Sequence, residues 1–326
     1  MREPALIRML PDGRRLHLHD GPIDLIIEAD GPPEAISSAY EAAARRFVSI
    51  LDELCGELPL LRSRARNNGE CPRGVIARRM FAAVEPYCED CFITPMASVA
   101  GSVAEEILES MVGAASLDRA YVNNGGDIAL HLGNNQSYKI GIVERPDRPS
   151  LFGSLTITAA DPVRGIATSG WRGRSFSLGI ADAVTVLADS ASAADAAATV
   201  IANAVNLPDH PGITRVPARE ISPDSDLGEL LVTRGIEHLS QLEIDGALEN
   251  GLRVATLLRE RGLIHSAALC LQKRVRVLPP LHALPASLST DRFLKCVVCT
   301  PDGSWGPSAP EIPAELELIG RTNPHA

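Results

Sequence analysis

A chain of 326 residues with 45% hydrophobic and 4% aromatic content carries enough apolar material for one large core or two moderate ones. Its formal charge of −10 and its scattered basic residues exclude a nucleic-acid-binding surface. No run of about 18 apolar residues is free of charge, which excludes a membrane-spanning helix. The opening stretch MREPALIRMLPDGRR holds Glu3, Pro4 and Asp12 around a short apolar run. It does not read as a signal peptide, and the expected location is the cytoplasm.

Three short runs follow, ALIRML, RRLHLHD and IDLIIEAD, separated by Pro11-Asp12-Gly13 and Asp20-Gly21-Pro22. Alternation between turn signals predicts a β-meander. His17 and His19 share one strand face, the pattern of a half-exposed strand that could also offer two imidazoles to a metal. Residues 34–55 predict an amphipathic helix entered after Gly31-Pro32-Pro33. Asn67-Asn68-Gly69 marks a loop, and residues 71–83 predict a helix with its arginines in solvent. Thr94-Pro95 has N-cap and first-turn chemistry for a helix over 94–109. In it Ala97, Ser98, Ala100, Gly101, Ser102 and Ala104 are all small, so another backbone or a flat ligand can approach closely.

Asn123-Asn124-Gly125-Gly126 between two apolar runs predicts a tight hairpin, because a type I′ turn needs positive φ at both central residues. Asp127 follows that turn directly. Runs YKIGIV, SLTITA and RGIATS continue an antiparallel sheet. The stretch 163–206 then concentrates chemistry: the Thr168-Ser169-Gly170 turn, Arg172 and Arg174, an apolar strand and an alanine-rich helix. Asp195 and Thr199 stand four residues apart on one helix face. A carboxylate and a hydroxyl together are hard oxygen ligands of the kind Mg²⁺ accepts beside water and substrate phosphates. The two guanidinium groups and the turn could hold those phosphates. Ser192 and Asp195 equally fit a capping box, which would make the aspartate a helix-start device.

Pro208, Pro211, Pro217 and Pro223 make 207–225 a linker. Beyond it the sequence predicts helices over 226–234 and 240–261 and a hairpin from 264–271 and 273–278. This extension over 226–300 would cover one edge of the main domain or support a homodimer. A Pro-rich tail over 301–326 is expected to be poorly ordered. Seven cysteines, an odd number in a large chain, argue against a disulfide framework. CEDC (Cys88, Cys91) and CVVC (Cys296, Cys299) have metal-ligand spacing, but the pairs lie far apart and CVVC reads as a strand whose cysteines face opposite ways. Idle thiols are the expected use.

The series GIATSG, AVTVLA and ADAAATVIANAV resembles the C-terminal half of the ApbE family of flavin transferases. Upstream, AYVNNGGDIAL resembles that family's GGD turn, and TPMASVAGSVAEEILE its small-residue helix beside the flavin. The likeness covers roughly residues 90–206 with the motifs in order, and is nearest to an ApbE-like branch, uncharacterised protein family 0280. It implies an α+β fold of the T-fold type, an antiparallel sheet with packed helices over 1–206, plus the C-terminal α/β extension. It implies Asp195 and Thr199 as metal ligands. Gly101, Asn124, Gly125, Gly126, Asp127, Thr168, Ser169, Gly170 and Arg172 become the candidate flavin-nucleotide contacts. The implied activity is Mg²⁺-dependent transfer of FMN from FAD to a protein acceptor, or cleavage of the FAD pyrophosphate. Alternatives are an accessory or maturation protein that kept the pocket, and an enzyme of another flat heterocycle such as a pterin, with Trp171 as the stacking residue. No catalytic residue is assigned. The transferases' His-Ile-x-Asp-Pro-x-Thr-Gly segment is replaced here by WRGRSFSLGIADA, whose Arg174, Ser175 and Asp182 could form a different site. The expected lysine of the small-residue helix is Ala100, and the acidic position after it is Glu105.

Overall fold

Alternating burial builds the second and third strands, and the first, exposed along its length, pairs on their edge. In β1 (Leu6–Met9), β2 (Leu16–Asp20) and β3 (Ile23–Asp30), paired antiparallel, Leu16, Leu18, Leu25 and Ile27 are buried on one face while His17, His19 and Asp24 share the other. The computed structural model describes residues 4–66, 70–143 and 151–279; the Asn67-Asn68-Gly69 loop, CVVC and the tail lie outside these. The amphipathic helix forms as α1 (Pro33–Gly56), followed by the short α2 (Leu58–Leu61) and by α3 (Val75–Val84). A 3₁₀ turn over Pro95–Ser98 leads into α4 (Val99–Ala114). Thr94 does not cap it; its hydroxyl donates instead to Asp226.

The tight hairpin joins β4 (Arg119–Asn124) to β5 (Asp127–Leu132), with Gly125 at φ 65° and Gly126 at φ 117°. β6 (Ser137–Val143) and β7 (Leu151–Thr158) pair only with each other. β8 (Gly165–Ser169), β9 (Ala183–Ala188), α5 (Ala191–Ala204), α7 (Gln241–Glu260), β12 (Ser266–Leu271) and β13 (Arg274–Leu278) complete the main architecture. One nine-stranded antiparallel sheet runs β1-β2-β3-β4-β5-β8-β9-β12-β13. Its first face packs on α1, α3 and α4 through Leu25, Ile27, Ala120, Val122 and Ala129, and on α5 and α7 through Ala167, Val184, Val186, Ala267 and Leu269. On its second face Tyr121, Ile128, Leu130, Ile166 and Leu187 meet Tyr138, Ile140 and Ile157 of the β6–β7 hairpin. The fold is α+β with an antiparallel sheet, as expected.

Three expectations change downstream of Asn206. The interval 207–225 contains β10 (Ile213–Pro217) and α6 (Ala218–Ile221). Residues 226–234 are not helical: after a turn at Gly228 the chain enters β11 (Leu231–Ile236), which pairs with β10. Leu231-Val232-Thr233 is β-branched-rich and finds a partner strand that sequence alone does not reveal. The hairpin expected as an extension is the continuation of the main sheet, with β12 against β9. Every residue of β9 is buried, so it needs a neighbour on each side, and β12 supplies the second.

Among the described residues no helix is long and apolar enough to cross a membrane. Nor does any group of three or more His, Cys, Asp or Glu there stand ready to hold a metal. Cys88 is buried, and Cys91 donates its thiol to the Tyr87 carbonyl.

Candidate functional site

Three elements converge where β5 begins. In the closing pair of the β4–β5 turn, Asn124 stands opposite Asp127. The Gly126 amide donates to Asn123 Oδ1 at 2.8 Å, locking the turn. Asn124 is buried and donates Nδ2 to the Ala100 carbonyl at 3.1 Å, which ties the turn to the first residues of α4. Asp127 Oδ1 accepts the Thr168 amide of β8 at 3.2 Å.

Asp195 enters from α5. The N-cap of that helix is Ser190, whose hydroxyl accepts from the Ala193 amide. Ser192 is claimed by Glu105 of α4, which accepts its amide at 2.7 Å and its hydroxyl at 3.0 Å, and Arg79 of α3 pairs with Glu105 at 3.1 Å. The capping box from Ser192 to Asp195 is therefore not formed. Asp195 lies beyond the first turn, and its Oδ2 accepts the Gly101 amide of α4 at 3.0 Å. Gly101 matters because α4 and α5 touch backbone to backbone: a Cβ there would overlap the carbonyl of Ala191. The slim face of α4 serves helix packing, and Gly101 acts through Asp195 instead of lining a ligand surface.

The two carboxylates are half-buried, burial raises the cost of ionising both, and the Asp127 charge adds to that cost at Asp195. Burial pushes Asp127 up to about 7, against the opposing pull of the Thr168 amide and the Arg174 charge. Burial, followed by repulsion from Asp127, pushes Asp195 well above the carboxylate range, against the amides of Gly101 and Ala100. Thr199 stands one turn beyond Asp195, half-buried, and its hydroxyl has no hydrogen bond among the described residues. Two desolvated carboxylates and an open hydroxyl are a donor set suited to a hard divalent cation, whose charge would offset the repulsion.

This predicts how stability depends on pH. A carboxyl whose folded value lies above its unfolded value of 3.8 stabilises the fold fully below that value, and the contribution is lost as pH rises through about 7. Without divalent cations, Tm should fall between about pH 4 and pH 8, and Mg²⁺ should restore it at pH 8. Asp127→Asn should flatten the slope in a thermal-denaturation series; an unchanged slope would remove Asp127 as its source.

The remaining sequence-derived residues divide clearly. Thr168 shares its hydroxyl with Thr185 at 2.9 Å, and Ser169 is half-buried at the end of β8. Gly170 is buried where a Cβ would meet the Asp182 and Ala181 carbonyls, so its role is packing. Arg172 does not face the site freely: its Nε pairs with Asp182 Oδ1 at 2.7 Å and its guanidinium stacks 4.2 Å from the Trp171 ring centroid. Trp171 donates Nε1 to the same oxygen at 3.1 Å, and Asp182 Oδ2 accepts the Gln272 amide at 2.6 Å. Asp182 is thus an internal anchor for the replaced segment, not part of an alternative site with Arg174 and Ser175. Both of those are exposed, and Arg174 lies over Gly125. The roles of Glu105 and Arg79 were not legible in the sequence, since they depend on how α3, α4 and α5 meet.

Residues 7–277 match the profile of the family described as AbpE bacteria. A UPF0280 protein from Methanopyrus kandleri is 36% identical over 184 residues, covering 55% of this chain and 69% of that protein. A UPF0280 protein from Methanosarcina barkeri is 39% identical over 141 residues, 42% of this chain and 53% of its own, so the chain spans about half of that relative. Among solved structures, a variant of the flavin transferase ApbE from Vibrio cholerae aligns over 85% of this chain and 97% of its own, with 13% identity and a TM-score of 0.44.

Proposed function

Since the chain belongs to the AbpE bacteria family, we propose that it binds a flavin nucleotide, FAD, with Mg²⁺ at the carboxylates of Asp127 and Asp195 and the hydroxyl of Thr199. The observation that carries this reading is the Asp127–Asp195 pair. Two carboxylates drawn out of water from separate elements, neither used as a helix cap, are costly without a cation. Mg²⁺ there would supply charge neutralisation for a pyrophosphate. The chain's own residues do the rest: the Gly101 amide fixes Asp195, the Thr168 amide fixes Asp127, and Asn124 holds the turn against α4. Gly126, with open space where a Cβ would stand, leaves that side of the turn free for a phosphate or a flat ring to approach.

The same geometry supports FMN transfer to a protein acceptor or pyrophosphate cleavage as the reaction. A second reading, binding without chemistry as an accessory or maturation factor, is favoured by the segment after Gly170. Its carboxylate, Asp182, and Arg172 are consumed by each other and by Trp171 and Gln272.

Calorimetric titration with FAD, with and without Mg²⁺, tests the proposal. Mg²⁺-dependent binding is expected, with a pterin binding more weakly. Absence of FAD binding in both conditions would remove the flavin reading. Mg²⁺-dependent formation of FMN or of a flavinylated acceptor would separate the enzyme from the accessory.

A further inference from the structure

We infer that Arg174 grips a phosphate group of the ligand across the Gly125–Gly126 turn, independently of any metal ion, so that the ligand class is a phosphoanhydride. The inference rests on the nucleotide-binding reading and adds to it the residue that recognises the anion.

Contact geometry is the first support. A Cβ at Gly125 would overlap the Arg174 guanidinium, and Gly125 is held at φ 65°. The guanidinium therefore lies against the turn backbone, and a side chain at position 125 would displace it. Availability is the second. Arg174 is exposed, and among the described residues it makes no hydrogen bond and no ion pair. Arg172, two residues earlier, is spent on Asp182 and Trp171.

The third support is the surroundings. Leu25 pairs with Asn124, so the neighbouring Asp24 of β3 stands beside Gly125. Arg174 favours the ionised forms of both Asp24 and Asp127, yet each carboxylate is held by another group. Asp24 Oδ1 is 2.6 Å from His17 Nε2, with His19 Nδ1 at 3.8 Å, and Asp127 takes the Thr168 amide. A guanidinium resting on the turn backbone, with its fork unspent, matches two oxygens of a phosphate. It stands next to Asp127, so one phosphate of a pair can lie on Arg174 while the other meets the Asp127–Asp195 side.

The test is titration of the full chain with inorganic pyrophosphate in EDTA and again in Mg²⁺. The wild type should bind in both, more tightly with Mg²⁺. Arg174→Ala should weaken binding about tenfold in both conditions, the scale of a lost charge-assisted fork. Arg174→Lys, which keeps the charge without the fork, should fall between. Asp195→Asn should keep the EDTA affinity and lose only the Mg²⁺ increment, so failure of the metal reading shows separately. Gly125→Ala should match Arg174→Ala, and the double variant should bind no worse than either single one. Wild-type affinity in Arg174→Ala, additive losses in the double variant, or no pyrophosphate binding by the wild type in EDTA would each overturn the inference.

Discussion

Asp195→Asn is expected to weaken Mg²⁺-dependent FAD binding at least tenfold, about 1.4 kcal/mol or more, while making the metal-free protein more stable at pH 8. The two effects have one origin. The folded state raises the Asp195 carboxyl above its unfolded value through burial and the nearby Asp127 charge, so at pH 8 its ionisation opposes folding. An amide keeps the shape and removes that cost, but it cannot give a hard cation a charged oxygen. Because Asp195 is not the cap of α5, a role that Ser190 fills, the helix start should survive. Paired calorimetry and thermal denaturation decide the matter. A variant that is less stable at pH 8 would return Asp195 to a structural role, and one that binds FAD with full Mg²⁺ dependence would remove it from the metal site.

Gly101→Ala is expected to cost about 3 kcal/mol, at the upper end of overpacking penalties because the opposing atoms are backbone. The new Cβ would meet the carbonyl of Ala191 and the amide of Ser192. Neither can rotate away, so α4 and α5 must separate. For a chain of this size, at about 2.1 cal/mol/K of unfolding entropy per residue, that lowers Tm by roughly 4–5 °C. The separation also moves the Gly101 amide from Asp195, so Mg²⁺-dependent ligand binding should fall with stability. Gly113→Ala is the control: it lies on the same helix with open space where the Cβ would go, and should be neutral or slightly stabilising. Equal Tm values for the two variants would show that the helices can relax apart without loss.

Much of the local structure was written in local patterns. Alternation gave the β2 and β3 strands, Gly-Pro-Pro opened α1, and paired glycines with positive φ closed the β4–β5 hairpin. Ser240 and Glu243 form a complete capping box for α7, inside the helix predicted over 240–261. Each of these depends on neighbours a few residues away, so sequence suffices. Residues 226–234 depart from the expected helix because the β11 strand needs β10 as its partner, and pairing is a nonlocal fact.

The candidate site divides in the same way. Sequence alone determined that Asp195 and Thr199 share a helix face and that Asp127 follows a double-glycine turn, since helical and turn geometry fix both. Only the tertiary structure decided which arginine is free. Arg172 and Arg174 are indistinguishable by spacing, but the buried Asp182 claims the first and the Gly125 backbone receives the second. Only the tertiary structure, likewise, put Asp127 close enough to Asp195 for its charge to burden the second carboxylate. Side-chain commitments of this kind depend on which strands and helices become neighbours, and a linear pattern carries no record of that.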